Sequence, residues 1–302
     1  MAEGATRPWS PDFELTREDA ARLIAEQFPE LRDARLEPVG HGWDNDAWLV
    51  GGELVFRFPR RAVAAVCMRN EIACLPRIAG ALPLPVPLPT HVGKPTDRYP
   101  YPFAGYRWIE GRTACSVELD DAERSACAEP LAKFLRALHA LPLPDDAPAD
   151  PAGDKDVARL VERTLGWLAR VPDTEPGIER ARAAVKRLAG TEDRDGRARW
   201  VHGDLYARHL LLDGRKLLSG VIDWGDVHAG EEADDLSIAY SFLPESARSA
   251  FFAAYGEVDP ATRDRARLYA LHCGAVLAAY GLEIGDRTMI EMGRTELTFA
   301  TG

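Results

Sequence analysis

The chain has 302 residues, 46% of them hydrophobic and 28% charged, and a formal net charge of −11 at pH 7. This composition is ordinary for a globular protein and allows a sizeable core in two lobes. The acidic balance argues against a nucleic-acid partner, and no apolar run reaches the about 20 residues that cross a bilayer. The amino terminus has no apolar signal core and the five cysteines form no CxxC pair. We therefore expect a cytoplasmic protein with no membrane partner and no disulfide framework.

The first third of the chain has the pattern of a small antiparallel sheet with one prominent helix. A helix is predicted over Thr16–Phe28, with Thr16 as N-cap and Asp19 at its third position. The strands "DAWLV" and "ELVFRF" flank Gly51 and Gly52 and predict a hairpin. A second helix is predicted to end at Gly80, and "YPFAGYRWIEGR" contains a further strand.

Helical periodicity dominates from Asp120 onward. In "AEPLAKFLRALHAL", residues Leu131, Phe134, Leu135 and Leu138 share one face. Two more helices follow, then a hairpin, and three or four helices are expected between Ala233 and Ala300. We expect a domain over residues 1–108 and a second, mainly helical domain over residues 109–302.

The hairpin lies in "WVHGDLYARHLLLDGRKLLSGVIDWGD", where "DGRK" separates two apolar runs. Ionisable side chains crowd around it, which is costly beside buried strands unless they are paired or bind a ligand. They are His202, Asp204, His209, Asp223 and Asp226. We interpret His202 as a packed residue that braces the loop. The two aspartates Asp204 and Asp223, with His209 between them, fit a divalent metal and a general base; a satisfied polar cluster or a turn cap at Asp204 is the alternative.

The amino-terminal segment contains a weaker signal for phosphate binding. Gly40 and Gly42 lie in a loop between two strands, where backbone N–H groups can approach phosphates; a plain hairpin turn explains them equally well. Alternation places Arg57 on the strand face opposite Phe56 and Phe58. It is either a solvated strand residue or a phosphate clamp held by Glu71 of the next helix.

The segment "VHGDLYARHLLLDG…LSGVIDWGD" resembles the catalytic segment of the aminoglycoside and macrolide phosphotransferase family. The resemblance extends in order over the glycine loop, "VFRFP", "NEIACLP", "YRWIEG", "LRALHALP" and the helical carboxyl-terminal part. It implies an α+β, protein-kinase-like bilobal fold, with a small antiparallel sheet in one lobe and a larger helical lobe that contains the catalytic hairpin.

The resemblance also implies roles for single residues. Asp204 would be the catalytic base and Asp223 a ligand of Mg²⁺, with His209 where many members have an asparagine as second metal ligand. Arg57 stands where most members have the phosphate-binding lysine, and Glu71 matches its helix partner.

Further roles follow from the same resemblance. In "GEEADDLS", Asp235 matches a structural aspartate, whereas Glu231 and Glu232 depart from the family's usual G-D-P-x-x-D-L-A. The connector "YRWIEG", with Trp108 and Ile109, would contact the nucleotide base largely through its backbone.

The predicted function is transfer of the γ-phosphate of ATP or GTP to a hydroxyl of a small molecule, an aminoglycoside or macrolide antibiotic, by a monomer or dimer. The substrate is expected to be cationic because six carboxylates and no Lys or Arg occur from residue 223 to residue 235. Asp226, Glu231 and Glu232 are the candidates that attract its amino groups. The alternatives are a metabolic kinase of sugars or amino alcohols, a nucleotide-binding pseudokinase, and a metallohydrolase.

Overall fold

The computed structural model describes residues 11–41, 44–150, 156–191 and 198–302. The chain forms two compact units: Met1–Gly80 with Val86–Ile109, and Ala81–Pro85 with Glu110–Gly302. Both sheets and helices are present, and the predicted α+β kinase-like class is confirmed. Among the described residues, no helix combines the length and the apolar character needed to span a membrane.

The first unit is built on a five-stranded antiparallel sheet with the order β1-β2-β3-β5-β4. Its strands are β1 (Leu36–His41), β2 (Asn45–Val50), β3 (Leu54–Pro59), β4 (Pro89–Gly93) and β5 (Phe103–Arg107). The predicted hairpin between β2 and β3 is confirmed, with positive φ angles at Gly51 and Gly52. β4 was not predicted from the sequence.

Two helices accompany this sheet, α1 (Arg17–Gln27) and α2 (Ala62–Ile78). The predicted capping box of α1 is confirmed: the Thr16 side chain accepts the backbone N–H of Asp19, and the Asp19 side chain accepts that of Thr16. Phe56 and Phe58 are fully buried in an aromatic core, with Phe58 stacked on Phe103 at 4.6 Å. The alternation of β3 therefore directs Arg57 to the opposite face.

The second unit is mainly helical. Its helices are α3 (Asp121–Ala126), α4 (Ala128–Ala140), α5 (Val157–Leu168), α6 (Ile178–Leu188), α7 (Glu232–Leu236), α8 (Ile238–Ser241), α9 (Glu245–Tyr255), α10 (Pro260–Ile284) and α11 (Arg287–Thr301). Five helices follow Gly230 instead of the three or four expected, because the segment before Pro244 forms two short helices. Gly293 allows α11 to approach α10 closely, since a Cβ there would lie 2.4 Å from the Ala278 nitrogen.

Short strands are embedded among these helices: β6 (Arg112–Thr113), β7 (Arg199–Val201), β8 (Leu210–Leu212), β9 (Leu218–Val221) and β10 (His228–Gly230). The predicted hairpin is confirmed as the antiparallel pair β8–β9. Asp213 forms its turn, because its Oδ1 accepts the backbone N–H groups of Arg215 at 2.8 Å and Leu217 at 2.9 Å. The segment from β7 to β10 carries the ionisable residues singled out above.

Candidate active site

One fully buried carboxylate, that of Asp235 on α7, holds the loop that follows β7. It accepts the backbone N–H of His202 at 2.8 Å and that of Gly203 at 3.1 Å. His139 of α4 donates from Nε2 to the same carboxylate at 3.0 Å. Burial raises the pKa of Asp235, but the hydrogen bonds and electrostatic interactions with His139 and His202 together outweigh burial, and the pKa lies below its ordinary value. An ionised Asp235 thus fixes the backbone on which the next residue, Asp204, is presented.

His202 links the same loop to the end of β9. It is fully buried, and burial lowers its pKa to about 4, so the ring is neutral at physiological pH. Its Nε2 lies 3.0 Å from the carbonyl oxygen of Ile222, and its Nδ1 lies 3.3 Å from the backbone nitrogen of Asp204. Because a carbonyl only accepts and an N–H only donates, the proton is on Nε2. This is the geometry that a loop-bracing role requires.

Gly203 is required by the shape of the loop. Its φ is +82°, and a Cβ at this position would lie 2.5 Å from the carbonyl oxygen of Asp226 and 2.8 Å from Nδ1 of His228. A side chain would therefore force apart the loop that precedes Asp204 and the loop that follows Asp223.

His209 lies between the two aspartates at the centre of the predicted site. Its Nδ1 is 2.7 Å from the carbonyl oxygen of Asp204 and 3.6 Å from Oδ2 of the same residue. Its Nε2 is 3.4 Å from Oδ2 of Asp223. The His209 side chain is 6% exposed, whereas those of Asp204 and Asp223 are 46% and 42% exposed. The expectation that His209 meets Asp223 across the hairpin is confirmed.

This arrangement favours a cation between His209 and Asp223. The Asp204 carbonyl accepts a hydrogen bond from Nδ1–H, so in the neutral ring Nε2 carries a lone pair directed at a carboxylate oxygen. Two acceptors at this distance repel each other unless a proton or a metal ion lies between them. Asp223 also has a φ of 65°, a left-handed conformation that non-glycine residues rarely adopt and that is concentrated at functional sites.

The donor set suits a nucleotide-bound Mg²⁺ better than a protein-only metal centre. Within the described ranges, no group of three or more His, Cys, Asp or Glu side chains converges on a metal position. Mg²⁺ usually takes one or two protein ligands and completes its shell with phosphate oxygens and water. Asp223 supplies the preferred oxygen, and His209 supplies a nitrogen that Mg²⁺ binds less well. Both residues remain predicted metal ligands.

The surroundings of Asp204 are strongly acidic. Asp234, which the sequence analysis did not single out, is half-buried on α7. Burial raises its pKa well above the ordinary value, and the charges of Asp235, Asp204, Asp150 and Asp226 raise it further. A cationic ligand would relieve this repulsion.

Two of the predicted substrate residues, Glu231 and Glu232, form ion pairs with arginines. Glu231 pairs with Arg265, whose Nε lies 2.7 Å from Oε1, and Glu232 pairs with Arg199. Neither arginine was predicted from the sequence as a partner. They neutralise two of the carboxylates that were expected to attract a substrate, so the prediction for Glu231 and Glu232 loses its electrostatic basis.

In the first unit, the predicted pairing of Arg57 with Glu71 is confirmed. Arg57 Nη1 lies 3.1 Å from Oε1 and 2.9 Å from Oε2 of Glu71. The Glu71 side chain is 1% exposed and that of Arg57 15% exposed. A buried carboxylate thus fixes the guanidinium on the face of β3 opposite the aromatic core, and its role toward phosphate remains a prediction.

The remaining predicted nucleotide residues are less well defined. Gly40 lies in β1 where the register with β2 is irregular, and Gly42 lies outside the described residues. Trp108 follows β5 and is 37% exposed, but its backbone N–H donates to the carbonyl of Glu53 at 2.8 Å. That N–H is therefore engaged within the sheet, whereas Ile109 is half-buried at the end of the unit.

Comparisons with known proteins identify similar proteins over most of the chain. The model of the phosphotransferase enzyme family matches residues 35–270. The GDP and kanamycin complex of APH(2″)-IIIa is 26% identical, with a TM-score of 0.69 over 93% of this chain and 97% of that one. The streptomycin–ATP complex of APH(2″)-IIa is 19% identical, with a TM-score of 0.59 over 95% and 97%. Macrolide 2′-phosphotransferase MphH from Brachybacterium faecium is 21% identical, with a TM-score of 0.57 over 93% and 97%.

Proposed function

The chain belongs to the phosphotransferase enzyme family, and we propose that it transfers the γ-phosphate of ATP or GTP to a hydroxyl of an aminoglycoside. The observation that carries this proposal is the half-exposed carboxylate of Asp204, held on a braced loop beside His209 and Asp223. A carboxylate in this position can contact a substrate hydroxyl, while its two neighbours face a cation site.

Asp204 acts as the base in this proposal. It orients the attacking hydroxyl and accepts its proton late, because phosphoryl transfer proceeds through a loose transition state that needs positioning more than proton removal. Asp223 and His209 would hold Mg²⁺, which when bound offsets the charge of the phosphates. Arg57, fixed by Glu71, donates from its planar fork to phosphate oxygens.

An aminoglycoside is favoured over a macrolide because of the charge around Asp204. Burial raises the pKa of Asp234, and the charges of Asp204 and Asp226 raise it further; a substrate with several ammonium groups would stabilise the ionised form of such a cluster. A macrolide carries a single amino group, so its electrostatic attraction to these carboxylates is weaker. The relatives of known structure were solved with GDP and with ATP, so both nucleotides are tested.

The experiment is a transfer assay with aminoglycosides and macrolides, each with ATP and GTP, with Mg²⁺ and without it. We expect stoichiometric phosphorylation of an aminoglycoside that depends on nucleotide and Mg²⁺. The Asp204→Asn variant is the matched control, since it keeps the shape of the side chain but cannot accept the proton. Metal-dependent hydrolysis without nucleotide would instead indicate a metallohydrolase, and tight nucleotide binding without turnover a pseudokinase. Preferential phosphorylation of a neutral alcohol would contradict the cationic substrate.

A further inference from the structure

We propose that the second unit contains a separate binding site for a small oxyanion-bearing ligand, in a cavity formed by α8, α9 and the start of α10. The cavity has a volume of about 650 Å³, within the range of about 300–1,000 Å³ that small-molecule sites occupy. Tyr240, Phe252, Arg248 and Arg263 line it, and Glu245 and Glu257 stand at its exposed rim. It contains none of the residues predicted for phosphoryl transfer.

Two guanidinium groups are fixed on aromatic rings in this cavity. The Arg263 guanidinium lies 4.2 Å from the ring centroid of Phe252, and that of Arg248 lies 5.0 Å from the centroid of Tyr240. Both rings are only 8% exposed, so they form a rigid base. Stacking in this way restricts both guanidinium groups. The Nη groups of Arg263 remain available to donate to an oxyanion, and Arg248, which already donates to two backbone carbonyls, adds its charge.

The donors in this cavity exceed the acceptors that the protein supplies. Among the described residues, the side chain of Arg263 makes no hydrogen bond or ion pair, and its Nε is buried without a partner. Arg248 donates to the carbonyl oxygens of Ala239 and Phe299 but pairs with no carboxylate in the described part of the chain. A guanidinium without an acceptor is unfavourable, and an oxyanion in the cavity would supply one to the accessible Nη groups of Arg263.

Cationic charge converges on the hydroxyl of Tyr240. Burial raises the pKa of Tyr240, the charges of Arg263, Arg248 and Arg267 act to lower it, and the charge of Asp264 acts with burial to raise it. Three arginines around one phenol are unexpected in a chain with a net charge of −11. An anion beside them would relieve their mutual repulsion and accept a hydrogen bond from the phenol.

The rim limits the charge of the ligand. Glu245 and Glu257 are exposed at the cavity mouth and repel a highly charged anion. The expected ligand therefore carries one carboxylate or one phosphate, in contrast to the triphosphate used in the transfer reaction.

The test is isothermal titration calorimetry of the full chain with inorganic phosphate in one arm and benzoate in the other, to separate a tetrahedral from a planar oxyanion. We expect saturable binding of at least one of them, weakened at least about tenfold by Arg263→Gln, since a charged hydrogen-bonding partner is lost. Tyr240→Phe is expected to weaken binding less than Arg263→Gln does, because it removes a neutral hydrogen-bond donor and not a charge. Arg287→Gln is the matched control, because Arg287 is an exposed arginine outside the cavity.

Two further variants keep the outcome unambiguous. Arg263→Lys retains the charge without the planar fork, and thermal unfolding of each variant reports whether it is folded. Phosphate binding that is lost in Arg57→Ala but kept in Arg263→Gln would place the anion elsewhere and overturn the proposal. Equal affinities of Arg263→Gln and Arg287→Gln, or no binding of either anion by the wild type up to about 10 mM, would overturn it as well.

Discussion

Replacing Glu231 by alanine tests whether this residue stabilises the fold or binds substrate. Its partner Arg265 has a side chain that is only 3% exposed, and Glu231 itself is 15% exposed. Arg265 would retain the Thr262 hydroxyl, at 3.0 Å, as a neutral acceptor. Removing one member of a buried ion pair costs about 3–5 kcal/mol, because the other charge stays buried and loses its carboxylate partner. We expect a loss of stability in this range.

Glu232→Ala is the matched control. The two glutamates are adjacent, each pairs with an arginine, and both lie at the start of α7. The pair with Arg199 is more exposed, at 36% for the arginine and 22% for the glutamate. Water screens such a pair, so it contributes about 1 kcal/mol or less to the free energy of unfolding.

Urea unfolding of both variants and the wild type measures the two losses, and KM for an aminoglycoside measures the effect on substrate binding. We expect Glu231→Ala to lower the free energy of unfolding several times more than Glu232→Ala, with KM nearly unchanged in the folded protein. Equal losses of stability would refute the burial argument. An unchanged stability with a raised KM would show instead that Glu231 binds substrate, as the sequence predicted.

Three other sites in the second unit and one in the first give further predictions. Asp204→Asn is expected to keep its stability and nucleotide affinity while transfer falls by about 10²–10⁴-fold in a single-turnover assay. His209→Asn should retain transfer with Mg²⁺ because it restores an oxygen ligand, whereas His209→Leu should lose it with Mg²⁺ and Mn²⁺ alike; wild-type rates in His209→Leu would make the residue structural. Arg57→Ala should weaken ATP binding more than adenosine binding in titration calorimetry, and an equal loss would exclude a phosphate contact. Burial lowers the pKa of His272 to about 4, so the free energy of unfolding should fall as the pH falls from about 6.5 to about 4. His272→Leu should make this loss smaller by about 2–3 kcal/mol in urea unfolding at the two pH values, and an unchanged loss would contradict the prediction.

The sequence predicted local structure well where a local physical cause acts. The capping box at Thr16, the β2–β3 hairpin with its glycine turn and the β8–β9 hairpin each depend on residues within a few positions of one another. Alternation along β3 was enough to place Arg57 opposite Phe56, and a helix that follows the strand brought Glu71 within reach. β4 was missed because "PTHVG" follows a proline-rich connector and has no clear alternation.

Partners that are distant in the chain were not predictable in this way. Asp235 accepts from His139, 96 positions earlier, and Glu231 pairs with Arg265, 34 positions later. Periodicity within one element does not reveal which element packs against it. The sequence therefore indicated which residues are ionisable near the hairpin but not which of their charges the protein itself neutralises.

This distinction changes the argument for a cationic substrate. Six carboxylates from residue 223 to residue 235 suggested a large negative charge. Three of them serve the fold: Asp235 is fully buried and hydrogen-bonded, and Glu231 and Glu232 are paired with arginines. A carboxylate attracts a substrate only if its charge is not already balanced inside the protein. The attraction would then come from the carboxylates around Asp204: burial raises the pKa of the neighbouring Asp234, and the charges of Asp235, Asp204 and Asp226 raise it further. The cationic substrate remains the best explanation of this site, but it depends on where the charges lie and not on how many the segment contains.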